Sequence, residues 1–138
     1  MLVHTSRVTI EWGDCDPAGI VWYPRFFGLF DGATAALFAA ALGLKKAEMM
    51  AAYDMAGFPM VDTRAQFHAP CTFGDEVTIE SRVTEFRRSS FDVSHRLSRS
   101  GTLAVEGFET RVWVGRDAAA GGRLKSKPIP ADIVERFR

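Results

Sequence analysis

The apolar run from Arg25 to Leu44 constrains this chain more than any other stretch. Pro24 precedes it, no further proline interrupts it, and Gly43 stands near its end, which are the start and stop signals of one long helix. Phe26, Phe30, Ala33, Leu37 and Ala40 recur at helical spacing, while Ala35, Ala36, Ala39 and Ala41 thicken the apolar surface with small side chains. A helix apolar on most sides belongs inside a core or a bilayer. Arg25, Asp31, the internal glycines and the preceding Pro24 disfavour a membrane span. The expectation is therefore a sheet wrapped around the helix, with Gly28 and Gly32 on one face allowing a sheet or a second backbone to approach closely.

The rest of the chain supplies such a sheet. Val8, Ile10 and Trp12 alternate with Thr9 and Glu11, the period of a half-buried strand. Met1 to Ile10 lacks the apolar region of a secretory leader. Lys45 to Ala56 suits a second, shorter helix ended by Gly57-Phe58-Pro59. Strand patterns follow from Met60 to His68, at Val77, Ile79, Ser81 and Val83, at Phe91, Val93, His95 and Leu97, and from Leu103 to Val114. Turns fall at Pro70 to Asp75 and Ser100-Gly101. Asp117 to Lys127 reads as a loop and Pro130 to Phe137 as a closing helix. One helix followed by a meander of strands makes an α+β domain, a single curved antiparallel sheet packed on the helix, which the first strand joins by a longer route. A chain of 138 residues fits one such domain.

Charge and cysteine content exclude several classes. Seventeen basic residues balance seventeen acidic ones, so no net field draws nucleic acid or an anionic membrane. Arg82, Arg87, Arg88, Arg96, Arg99 and Arg111 could form a basic face, but without stacking aromatics in the same pattern it is a weak RNA signal. Cys15 and Cys71 are too few for a disulfide framework or a thiolate metal site, and a reducing, cytoplasmic setting is the simplest expectation. His4, His68 and His95 are scattered, read as strand residues and show no metal-ligand spacing.

Chemistry concentrates just before the long helix. Glu11 to Pro24 places Asp14 and Asp16 in a turn rich in Gly and Pro, and the helix N-terminus that follows offers unpaired N–H groups and partial positive charge to an anion. On position alone Asp16 reads as a cap or turn former as readily as a catalytic carboxylate. Capping, however, requires neither the second carboxylate nor Gly19 nor the aromatic pair Trp22-Tyr23 ahead of Pro24. Cys15 could serve as a thiolate at a helix start, but its acidic neighbours oppose ionisation.

The motif Gly13-Asp-Cys-Asp-Pro-Ala-Gly-Ile-Val-Trp-Tyr-Pro24, with Asp31 downstream and Arg87-Arg88-Ser89-Ser90-Phe91 later, resembles the hot-dog-fold acyl-CoA thioesterases, specifically their 4-hydroxybenzoyl-CoA thioesterase branch. The similarity covers nearly the whole chain. It implies a helix wrapped by a five- or six-stranded antiparallel sheet, dimers or dimers of dimers including homotetramers, and acyl-CoA sites between subunits. It makes Asp16 the catalytic carboxylate, as nucleophile or as base for water, and the backbone N–H of Tyr23 the oxyanion donor, since Pro24 has none to offer.

The same resemblance puts Trp22 beside the substrate and brings Asp31, about two helical turns or roughly 12 Å beyond Tyr23, against a ring hydroxyl of the acyl group. Arg87, Arg88, Ser89, Ser90 and Lys125 would hold the CoA phosphates. Coenzyme A would enter as part of the substrate, with no separate cofactor or metal. The chain departs from neighbouring branches in having Tyr23 where short-chain acyl-CoA thioesterases carry His, and in having no Glu between Arg25 and Leu44. Aryl-CoA hydrolysis is the leading expectation. An aliphatic acyl-CoA or acyl-carrier-protein thioesterase and a non-catalytic hot-dog protein binding acyl-CoA or a protein partner are the alternatives.

Overall fold

A computed structural model describes residues 1–138. The long helix α1 spans Pro24–Leu42. Pro24 occupies its first turn, and Gly43 ends it in the left-handed region at φ 67°, its N–H donating to Ala39 O at 2.8 Å. By length and composition alone this helix would pass for a membrane span. In the fold it is the core helix, burying Phe26, Phe30, Ala33, Thr34, Leu37, Phe38 and Leu42 against a sheet.

That sheet has five antiparallel strands: β1 (His4–Thr9), β2 (Met60–Phe67), β3 (Glu76–Phe86), β4 (Ser90–Arg99) and β5 (Thr102–Val112), in the order β1-β3-β4-β5-β2. β1 joins at the β3 edge and β2 at the β5 edge. This is the hot-dog arrangement expected from sequence. A second helix, α2 (Lys46–Ala52), is shorter than the sequence suggested, and α3 (Ala131–Arg136) closes the chain.

Three local expectations are corrected. β1 ends at Thr9, because Trp12–Asp14 forms a 3-10 turn closed by reciprocal bonds between Glu11 and Asp14; Trp12 leaves the strand and is 76% exposed, packed edge-on against Phe73. Ala40 faces solvent. Asp117 to Lys127 is not a free loop: β6 (Val114–Asp117) pairs with β7 (Arg123–Ser126), and Gly121 and Gly122, both at positive φ, close the hairpin.

Gly28 and Gly32 face outward with open space around them. Within the chain, the close approach of helix and sheet occurs at β5. Gly107 of β5 lies under the ring of Phe30, which fills the position a side chain would take, and the same ring stacks on His95 of β4.

Two apolar clusters result. One gathers Leu37, Phe38, Phe91, Trp113, Ile133 and Phe137 with their neighbours; the other gathers Ile10, Phe26, Phe30, Val77, Ile79 and Val105 with theirs. α1 contributes to both, and each large side chain buried contributes on the order of 1.5–3 kcal/mol. Five buried polar side chains, Thr34, Ser81, His95, Glu109 and Arg111, are packed with them.

Candidate active site

The segment before α1 is a small hairpin. Trp22 N donates to Asp14 O at 2.8 Å, Cys15 bridges Val21, and Asp16 N donates to Ile20 O at 2.9 Å. Cys15 and Val21 pack against the core, so Asp14, Asp16, Ile20 and Trp22 take the other side by strand alternation. Val21 N donates to Cys71 O at 2.8 Å, which ties the hairpin to the β2–β3 connection.

The two carboxylates differ. Asp14 is occupied, its Oδ2 accepting from Glu11 N at 2.9 Å. Asp16 Oδ1 accepts from Ala18 N at 2.9 Å, an Asx turn that fixes the side chain, while its second oxygen has no partner within the chain. Asp16 thus acts as a turn former with one oxygen and leaves the other free.

The helix start is partly spent as well. Arg25 N donates to Trp22 O at 2.9 Å and Phe26 N to Tyr23 O at 3.2 Å, and Pro24 has no N–H. The Tyr23 N–H donates to no acceptor of the chain. Tyr23 is 60% exposed and Trp22 52%. Beside them opens an apolar cavity of about 330 Å³ lined by Ile20, Val21, Tyr23, Phe26, Phe67 and Cys71 among others. Tyr23 and Phe26 both lean on Phe67, with ring centroids 6.2 and 5.9 Å away. Burial pushes the Cys71 thiol up, away from the thiolate.

Asp31 lies one helical stretch further along α1, with an exposed side chain whose Oδ1 accepts from Arg111 Nη2 at 2.7 Å. Arg111 Nε donates to Glu109 Oε1 at 2.9 Å and its Nη1 to Phe58 O at 3.3 Å. Thr34 Oγ1 donates to Glu109 Oε1 at 2.6 Å and lies 3.1 Å from His95 Nε2; His95 Nδ1 lies 2.7 Å from Ser81 Oγ. Burial works to raise the Glu109 carboxyl, but hydrogen bonds from His95, Arg111 and Thr34 outweigh it and hold the group below the usual carboxylate range. Burial likewise opposes the Arg111 charge and is outweighed by Glu109 and Asp31.

The sequence reading missed Glu109 as a functional candidate and counted Arg111 in an outer basic face. Their signal was the strand phase they share with Val105 and Trp113.

The residues expected at CoA phosphates separate into two kinds. Arg87 is bound within the chain: Nη2 to Asp92 Oδ1 at 2.6 Å, Nη1 to Glu85 Oε2 at 2.9 Å, and Nε to Ser90 Oγ at 2.7 Å. Its hydrogen bond lowers the Asp92 carboxyl from its ordinary value. Ser89 O accepts from Trp113 N at 2.7 Å. Arg88 is exposed, and its guanidinium has no partner in the chain. Lys125 is exposed on β7, and Ile129, four residues further on, donates its N–H to the O of Arg88 in the β3–β4 turn at 2.8 Å.

Comparison with known proteins agrees with this architecture. The family model described as the thioesterase-like superfamily matches residues 10–137. The chain is 34% identical over 136 residues to the 4-hydroxybenzoyl-CoA thioesterase of Pseudomonas sp. strain CBS-3, covering 95% of this chain and 94% of that one. It is 30% identical over 100 residues to a 1,4-dihydroxy-2-naphthoyl-CoA hydrolase of Synechococcus elongatus, covering 72% and 73%. The solved structure of the Pseudomonas enzyme superposes with a TM-score of 0.89 over 97% of this chain and 98% of that chain. With the five-stranded sheet, the central helix and the hairpin ahead of it, these matches establish that the chain belongs to the thioesterase-like superfamily, whose named relatives here are thioester hydrolases.

Proposed function

We propose that the chain hydrolyses an aryl-CoA thioester whose ring carries a hydroxyl or amino group, with Asp16 as the catalytic carboxylate. The observation that carries this reading is the pairing, in the short segment ahead of α1, of a carboxylate oxygen without a partner and an N–H without a partner: Tyr23 lines an apolar cavity at the start of α1, and Asp16 is bonded through its N–H to Ile20, which lines the same cavity. Negative charge building on a thioester oxygen is best met by a fixed N–H at a helix start. Asp16 attacks the carbonyl carbon to form an acyl-aspartyl anhydride, expelling the CoA thiolate, and water then opens the anhydride; in the variant chemistry Asp16 takes a proton from water that attacks directly. The relatives named above act on hydroxybenzoyl- and dihydroxynaphthoyl-CoA, which supports an aryl group bearing a donor.

Replacing Asp16 by Asn tests the reading. Turnover of 4-hydroxybenzoyl-CoA is expected to fall by about a thousandfold or more while the ester still binds by calorimetry. Wild-type turnover in that variant refutes it.

The site is also open on one side. β2 is an eight-residue edge strand with Met60, Val61 and Phe67 in solvent, and Phe67 at its far end packs against Tyr23 beside the cavity. A long unpaired edge strand of this kind is normally covered or blunted in stable proteins. A second copy pairing at β2 would cover it and wall the cavity, which supports an assembly of dimers or dimers of dimers.

A further inference from the structure

Thr34, Ser81, His95, Glu109 and Arg111 are each no more than 3% exposed, and they join helix α1 to three strands of the sheet. Their chain of contacts reaches the surface at Asp31. Stability alone is a poor reason for such a layer. Ion pairs taken out of water roughly break even against apolar side chains of the same size, and Glu109 Oε2 is left without a donor altogether.

The geometry points to a different use, and we propose that Arg111 is the positioning residue that aims Asp31 at the acyl ring and so sets the preference for ring substituents that donate hydrogen bonds. This rests on the aryl-CoA reading proposed above and on the ring contact that the family resemblance implies for Asp31.

Each arm of the Arg111 fork is assigned: Nε to Glu109, Nη1 to the Phe58 carbonyl, Nη2 to Asp31 Oδ1. Two buried anchors fix the guanidinium plane, so the third arm fixes one oxygen of an otherwise exposed carboxylate. Asp31 Oδ2 has no partner in the chain. An ionised carboxylate accepts and cannot donate. Paired with Arg111, Asp31 is suited to a phenol O–H or an aromatic amine N–H and opposes an ether or carboxylate at the same place.

Glu109 is held in turn by Thr34, one turn beyond Asp31 on the same helix face. Because the Thr34 hydrogen goes to Glu109, the Thr34 oxygen accepts from His95 Nε2–H, and His95 Nδ1 pairs with the Ser81 hydroxyl. The layer thus locks Arg111 to the helix that carries Asp31. Lysine is not equivalent, since an ammonium lacks the planar fork that spans Glu109 and Asp31 together.

The test is the ratio of kcat/KM for 4-hydroxybenzoyl-CoA over benzoyl-CoA, with a thermal melt for every variant. Asp31→Ala is expected to collapse the ratio. Arg111→Lys is expected to lower it by about tenfold or more, as loss of a hydrogen-bonding site does, and to add nothing when combined with Asp31→Ala. A collapsed ratio in Asp31→Ala with an unchanged one in Arg111→Lys overturns the role of Arg111 and leaves the ring contact standing. An unchanged ratio in Asp31→Ala removes the ring contact and the proposal with it. Equal losses on both substrates in Arg111→Lys make Arg111 structural and overturn the proposal. Should Arg111→Lys not fold, the pair Glu109→Gln with Arg111→Gln, which removes both charges, takes its place; failure of that pair to fold also marks the layer as structural and overturns the proposal.

Discussion

Phe30 lies on the imidazole of His95 with ring centroids 4.8 Å apart and planes 8° from parallel, and a Cβ at Gly107 would come within 2.5 Å of the same ring. Phe30 is held between the helix and this stack, so it has no easy retreat. Gly107→Ala is expected to destabilise the fold by about 1–3 kcal/mol, the usual cost of overpacking, measured by urea unfolding. Wild-type stability would mean that the ring shifts freely.

Arg87 and Arg88 are neighbours with opposite circumstances, one paired on three sides and one free. Arg88→Ala is expected to raise KM for CoA esters about tenfold, the scale of one charge-assisted contact, and to spare a short pantetheine thioester. Arg87→Ala should chiefly lower the melting temperature. Steady-state kinetics on both thioesters beside a thermal scan separate the two, and equal KM effects on both thioesters would remove Arg88 from the phosphate site.

Glu109 sets a pH dependence whose sign is fixed by its depressed pKa. Its ordinary value is 4.5. Held lower in the folded state, it leaves the unfolded chain binding more protons in that window, so its stabilisation is complete above the ordinary value and is lost as the pH falls towards the folded one. Wild-type protein should therefore lose melting temperature more steeply than Glu109→Gln between about pH 5 and 3. Asp75 and Asp92 are also held low, by the Thr72 N–H and by Arg87, and they tilt both curves alike. Parallel curves from a pH series of thermal melts would detach Glu109 from the effect.

The open edge of β2 gives a prediction on assembly. Val61 is 64% exposed there. Val61→Lys or Val61→Glu should shift the protein towards monomer in sedimentation and lower turnover per chain, since charge on an edge strand opposes edge pairing. An unaltered sedimentation profile would place the interface elsewhere.

Much of this architecture is legible in the sequence. The long helix, the meander and the hairpin carboxylates follow from periodicity, from Pro24 and Gly43, and from the motif around Asp16. What escapes is instructive. Trp12 continues the alternation of Val8 and Ile10, yet the reciprocal Glu11–Asp14 bonds break the strand before it. Ala118 to Gly122 has the composition of a loop, and that describes the tip of the hairpin while concealing its strands.

Glu109 and Arg111 sit in phase with apolar neighbours, but charged residues are normally assigned to the outside. What keeps them inside is supplied by Thr34 on α1, by His95 on the neighbouring strand β4 and by Phe58 in the α2–β2 connection. Such a match is visible only once the chain has folded.

The alternation that sends Cys15 and Val21 inward makes the hairpin a parity device. A single residue inserted between them would reverse the assignment of every side chain on one arm, offering a carboxylate to the oily interior or a core valine to water. Replacement of one residue by another is a local matter here, whereas a change in count is not. Asp16 and Gly19, the latter at φ 81°, tie the tip to its chemistry, and its length is as much a part of the site as Asp16 itself.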